Sequence, residues 1–227
     1  VEALLAGESL DTSRLSYDFD SHHVAVVAVG PEARSVVEER ARSTRLPRLV
    51  LNARGAVWAW IAKREAFEPA EVEALADRTA ADLRLAVGEP GHGIAGWRLT
   101  HNQARAALAV ALWGGEAVVR YVDVALLTAV VRDEVLATSL RRLYIEPLDG
   151  GGGGGDELRR TVRAYFAAGR NVSLAGDAIG VSRQAVARRL RAVEEKLGRS
   201  IASCGTDLEL ALRLEALDPA PTPLSAP

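Results

Sequence analysis

The sequence predicts an α+β sandwich of ferredoxin-like type, followed by an all-α helix-turn-helix domain. Three observations carry this. Valine-rich strand-like runs and charged helical runs alternate in the order β-α-β-β-α-β-α-β up to residue 124. A run of six glycines follows at 150–155. Beyond it the pattern is helical only, and residues 171–198 read as a short helix, a tight turn and a long basic helix.

The elements follow in order. Residues 1–20 read as a helical connector. VEALLAGESLD has the character of the last turns of a helix, with Leu4 and Leu5 on its apolar side. SHHVAVVAVG, 21–30, is a buried strand closed by Gly30-Pro31. PEARSVVEERARSTRL is a helix with Pro31 at a favoured first-turn position. PRLVLNARGAVWAWIAKRE, 47–65, is a β-hairpin around Asn52-Ala53-Arg54-Gly55. A helix starts at Pro69 and extends to about residue 81. LRLAVGEPGHGIAGW is a short strand running into a glycine-rich loop. Thr100 then caps the helix HNQARAALAVALWGG, and AVVRYVDV, 117–124, is a further strand. Two trailing helices, about 123–131 and 132–144, are assigned with the sheet domain (21–149) and end at Pro147 and the glycines. The glycine run 150–155 reads as a flexible linker, because six glycines carry a heavy entropic penalty in regular structure. Residues 156–217 form the helical domain, with Ser173 capping its short second helix and TDLELALRLEAL, 206–217, closing it. The proline-rich residues 218–227 read as a disordered tail.

The totals narrow the function classes. The chain has 227 residues and is 48% hydrophobic, enough for a proper core. Its net charge of −2 is unevenly spread: residues 156–217 carry 11 basic and 8 acidic residues, and residues 1–155 carry 17 and 21. A basic module attached to an acidic one fits nucleic-acid binding by the former. The lone Cys204 fits a reducing compartment, and the expected location is cytoplasmic. No apolar run approaches the ~20 residues needed to span a bilayer, so no membrane partner is expected. The chain contains no methionine, which suggests a fragment of a longer product.

The long basic helix divides cleanly. With 100° per residue, Val186, Leu190, Val193 and Leu197 share one face within about 40°. Gln184, Arg188 and Arg191 share the opposite face. Ser182 caps the helix, Arg183 opens it, and no acid occurs between Ser182 and Ala192. Arg can pair with guanine edges and Gln with adenine edges. Ala187 leaves room for close approach. Arg189, Lys196 and Arg199 lie off that face and suit phosphates. A merely solvated basic helix is the bland alternative. The preceding capped helix and the Gly180-Val181-Ser182 turn argue against it.

LRRTVRAYFAAGRNVSLAGDAIGVSRQAVARRLRAVEEKLGRSI with LELALRLEAL resembles the C-terminal DNA-binding domain of the PucR/CdaR family of bacterial transcription regulators. It is also similar to the Fis-type helix-turn-helix. Gly176 stands where the family more usually has alanine, which should weaken that helix by up to ~1 kcal/mol. The middle region, through GHGIAGW, HNQARAAL and VVRYVDVALL, resembles the degenerate GGDEF-like domain of the same family. The resemblance implies a double-stranded operator as partner and an effector sensed through an N-terminal domain upstream. A homodimer or higher homo-oligomer is expected, because one helix-turn-helix reads too few base pairs for useful specificity.

A cyclase needs hairpin carboxylates to hold Mg²⁺ and phosphates. Asn52-Ala53-Arg54-Gly55 has none, so no enzyme activity and no cofactor are expected. That leaves ligand binding or dimer formation to the middle domain. Other candidates read better as scaffold. His22-His23 are strand-edge histidines on opposite faces, and Gly91-His92-Gly93-Ile94-Ala95-Gly96 is a tight turn without the lysine of a phosphate loop. His101 and Arg105 lie on a solvated face. Trp58 and Trp60 share a strand face that packs on a helix or a partner subunit. The competing function classes are a nucleotide-binding or residual cyclase-type enzyme and a protein-interaction module.

Overall fold

The computed structural model describes residues 1–7, 17–77, 82–149 and 154–217. The expected tail and residues 150–153 of the glycine run lie outside them. The chain divides into two units, Val1–Thr128 and Ala129–Pro227.

In the first unit the elements are α1 (Glu2–Leu5), β1 (His22–Val29), α2 (Ala33–Ser43), β2 (Arg48–Ala53), β3 (Ala56–Lys63), α3 (Pro69–Leu75), β4 (Arg84–Val87), β5 (Gly91–His92), α4 (Gly93–Gly114) and β6 (Val118–Arg120). The helix α5 (Tyr121–Val130) runs across the division. The sheet order is β2-β3-β1-β4-β6, with β5 also on β1. β1 is antiparallel to β3, β4 and β5, and β4 is parallel to β6. The order 2-3-1-4 of the first four strands is the ferredoxin-like arrangement that the sequence predicts.

Side-chain alternation along β1 sends successive residues to opposite faces. Val24, Val26 and Ala28 join Val57, Ala59, Ile61, Leu85 and Val87 in a core closed by Val37 and Ala41 of α2 and Val72 and Leu75 of α3. The other face is aromatic. Trp60 stacks on Trp97 of α4 at 4.6 Å between ring centroids, and its Nε1 donates to the Trp97 carbonyl at 3.1 Å. The two-residue hairpin turn, Arg54-Gly55, has positive φ at both positions, as its type requires.

Several local expectations change. Pro31 precedes α2 rather than opening it. The glycine-rich stretch is not a loop: Gly91-His92 pairs with His22-His23, and Gly93 begins α4. A Cβ on Gly91 would sit 2.6 Å from the Cα of Gly96, so these glycines let the start of α4 press onto the sheet. Thr100 is therefore interior to α4, and its Oγ1 accepts from the Ala25 amide at 2.9 Å. His101, expected at a solvated face, is fully buried between Trp58 and Trp60. α4 begins eight residues earlier than expected, at Gly93 rather than His101. His23 is likewise buried rather than at an edge. Its Nε2 donates to the Phe19 carbonyl at 3.1 Å, which leaves Nδ1 to accept from the Tyr17 hydroxyl at 2.8 Å. The strand expected at 117–124 is only β6, because α5 begins at Tyr121.

The second unit is helical: α6 (Glu134–Leu140), a π-helical turn (Arg141–Ile145), α7 (Glu146–Asp149), α8 (Gly155–Ala167), α9 (Val172–Ile179), α10 (Arg183–Leu197) and α11 (Ile201–Leu217). The second trailing helix was assigned to the sheet domain, yet it packs here. Tyr144, Ile145 and Leu148 are buried, and the Tyr144 hydroxyl donates to Asp207 of α11 at 3.1 Å. Pro147 lies inside α7 instead of ending the helix. Gly154 caps α8 and Gly155 opens it, packed against Leu148 and Asp149. Gly154 and Gly155 of the run thus lie inside this unit, and the division between the two units falls earlier, after Thr128.

Candidate nucleic-acid interface

The site is built on α8, α9 and α10, which pack on one another. Capping fixes where each helix begins. Asn171, not Ser173, caps α9: its Oδ1 accepts from the amides of Ser173 at 2.9 Å and Leu174 at 3.1 Å. Both residues are good caps by type, and only the backbone entry angle decides between them. Gly180 closes α9 with φ 73°, and Ser182 Oγ accepts from the Ala185 amide at 3.2 Å to open α10. The turn expected between the two helices is therefore present.

The inward stripe of α10 is as expected, with Val186, Leu190 and Val193 buried and Leu197 half-buried. Gly176 of α9 faces this stripe. A Cβ there would lie 2.7 Å from the Val181 carbonyl oxygen and 3.5 Å from Val186 Cγ2. The residue that looked like a helix weakness is what lets α9 approach the turn.

The outward face separates into two groups. Arg183, Gln184, Arg188 and Arg191 are exposed, and their side chains make no hydrogen bond or ion pair with other described residues. Ala187, half-buried, lies among them, and Lys196 is exposed in the last turn. Arg189 differs. Its guanidinium pairs with Glu157 of α8 and reaches Thr161 Oγ1 at 3.4 Å, with its side chain 17% exposed. Arg199 lies 5.9 Å from the Tyr144 ring centroid and donates to the Tyr144 hydroxyl at 3.4 Å. Both are expected at phosphates, and each also has a partner within the helical unit. Their partners lie 32 and 55 residues away in sequence, beyond the reach of a helical wheel.

Sequence reasoning missed a bracing network beneath this face. Arg159 pairs with Asp149, Asp156 and Glu215, and Arg163 pairs with Glu215 at 2.5 Å. It joins α8 to α7 and α11. Only the opposite charges at Asp156 and Arg159, three apart, were visible as a local signal.

In the sheet unit, a cleft of about 600 Å³ lies between the start of α2 and the hairpin, lined in part by Glu32, Glu38, Arg34 and Asn52. Glu38 is held by Arg34 at 2.8 Å and Arg42 at 2.7 Å. Among the described residues no three His, Cys, Asp or Glu side chains gather as a metal site. Among them, too, no helix is long and apolar enough to cross a membrane.

A sheet unit joined to a capped helix-turn-helix, whose second helix exposes Arg183, Arg188 and Arg191, defines a DNA-binding regulator. Residues 158–216 match the PucR C-terminal helix-turn-helix domain, and residues 11–110 match the GGDEF-like domain. These two domains in this order are those of a PucR/CdaR-type transcription regulator, which the chain resembles over both matched regions. A solved structure, the regulator of polyketide synthase expression from Bifidobacterium adolescentis, aligns with 94% of this chain and 89% of its own. The identity is 17% and the TM-score 0.48. Among curated proteins none matches the chain.

Proposed function

We propose that the regulator binds its operator as a homodimer and reads base edges with Gln184, Arg188 and Arg191 of α10. Arg183 contacts the DNA at the start of the helix, beside the Ser182 cap. Ala187 permits close approach, and Lys196 meets a phosphate. The observation that carries this reading is the contrast along one helix. Arg189 is tied to Glu157, while Arg188 and Arg191 are exposed and unpaired among the described residues. A long exposed cation held without a protein partner is available for an anionic one.

The GGDEF-like domain serves self-association or signal relay and is not catalytic. The hairpin turn carries no carboxylate, and Glu38 in the adjoining cleft is neutralised by two arginines. Product formation from GTP and Mg²⁺ would contradict this. The protein acts in the cytoplasm, and its effector is sensed by an upstream domain.

The test is binding to the protein's own promoter region. Replacing Arg188 and Arg191 together with alanine should lower affinity at least tenfold, since each paired base contact contributes about 1–3 kcal/mol. It should also flatten the dependence of affinity on salt. Unchanged affinity and salt slope would reject the face assignment.

A further inference from the structure

The turn between α8 and α9 is built from two left-handed residues, Gly169 at φ 61° and Arg170 at φ 65°. The Arg170 amide donates to the Tyr165 carbonyl at 2.8 Å, which closes α8. Glycine suits such a backbone and asparagine tolerates it, whereas a long side chain is strained there. Arginine at 170 is therefore not what the turn itself requires.

The Arg170 side chain is exposed, and it makes no hydrogen bond or ion pair with another described residue. It is nevertheless seated. Its guanidinium lies 5.7 Å from the Phe166 ring centroid, and a Cβ on Gly205 of α11 would come within 3.1 Å of it. A glycine inside a 17-residue helix weakens that helix, and here it leaves room for the cation.

Arg170 shares a crevice of about 300 Å³ with Tyr165, Ala187, Arg191, Glu194 and Ile201. Ala187 and Arg191 belong to the α10 face proposed to meet DNA. The one carboxylate among these residues is engaged already, because Glu194 Oε1 accepts from the Ile201 amide at 2.9 Å. Arg170 and Arg191 are thus the charged groups left to meet an incoming anion. A helix lying in the major groove has a phosphate backbone on either side, so a cation beside the helix meets a phosphate and one on it meets a base edge.

We infer that Arg170 binds a backbone phosphate of the operator, at the mouth of the crevice beside Arg191. The inference rests on the proposed reading of the α10 face and adds a contact that holds the duplex against it.

The test uses the full chain and two duplexes of equal length, one from its own promoter region and one of unrelated sequence. Arg170→Gly suits the left-handed backbone and removes the cation. Arg170→Gln removes the charge at nearly the same length, and Arg170→Lys keeps it. Both neutral variants should bind the two duplexes more weakly by the same factor. Their plots of log affinity against log salt should flatten by about 0.9 per bound subunit. Arg170→Lys should keep the parent slope, and circular dichroism melting should show all three folded. If Arg170→Gly alone alters the fold, Arg170→Gln gives the reading. Parent-like affinity and slope in the neutral variants would overturn the inference. So would a loss confined to the promoter duplex, which marks a base contact. So would an equal loss in Arg170→Lys, which would assign the effect to packing on Phe166 and not to charge. Should Arg188→Ala/Arg191→Ala also have no effect, the α10 face falls as well. Should that pair lose affinity and slope while the Arg170 variants do not, the phosphate contact alone falls.

Discussion

His101 is the residue whose sequence reading and structural setting differ most. It was expected at a solvated face, and it is buried with both ring nitrogens unpartnered among the described residues, as is the indole nitrogen of Trp97. Burial, reinforced by the nearby Arg105 charge, pushes its pKa down to about 3. The sign follows. Above the unfolded value of about 6.5 neither state takes up a proton. Between 6.5 and 3 the unfolded chain does and the folded one does not, so stability falls as pH falls. From pH 7.5 to pH 5 the loss from this residue is about 2 kcal/mol. His101→Phe should remove it. Urea unfolding at the two pH values should show that much less acid destabilisation in the variant, and an identical pH dependence would refute the assignment. The same contrast explains what was legible at this scale. Arg188 and Arg191 could be placed because the helical period alone decides their face. His101 could not, because the rings that cover it, Trp58 and Trp60, belong to β3, and Arg189 could not, because Glu157 belongs to another helix.

Elements were legible wherever their own residues define them. The valine-rich β1, the hairpin with Arg54-Gly55, the Gly180 stop and the Ser182 cap all behave as their local chemistry dictates. Elements defined by contact were not. The glycine-rich segment 91–96 became strand and helix because Gly91 and Gly96 pack backbone to backbone. Pro147 is the second residue of α7, directly after the π-helical turn. Gly176 belongs with these. Helix propensity alone says that alanine would strengthen α9 by up to ~1 kcal/mol. The 2.7 Å approach to the Val181 carbonyl says the reverse, because a backbone oxygen cannot move aside as a flexible side chain can. Overpacking of this kind typically costs about 1–3 kcal/mol. Gly176→Ala should therefore lower the melting temperature of the helical unit and weaken DNA binding with it. A stabilised variant with full affinity would show that the turn tolerates the methyl group.

At the scale of the whole molecule, composition and the glycine run marked two domains, and the chain does form two units. The division falls at Thr128 rather than at the glycines, because the burial of Tyr144, Ile145 and Leu148 commits residues 134–149 to the helical unit. No single-residue pattern reports such a choice of partner. The reader helix is consequently held by more structure than a tether. It is tied to α8 through Arg189 and Glu157, and α8 is in turn joined to α7 and α11 through Arg159. Two such faces in a homodimer should meet DNA symmetrically. The most direct test is a footprint of the full chain on its own promoter region, probing the major groove. The account predicts two protected patches with mirrored sequence, one helical turn of about 34 Å apart or a multiple of it, both lost in Arg188→Ala/Arg191→Ala. A single patch, or protection that survives the double substitution, would contradict it.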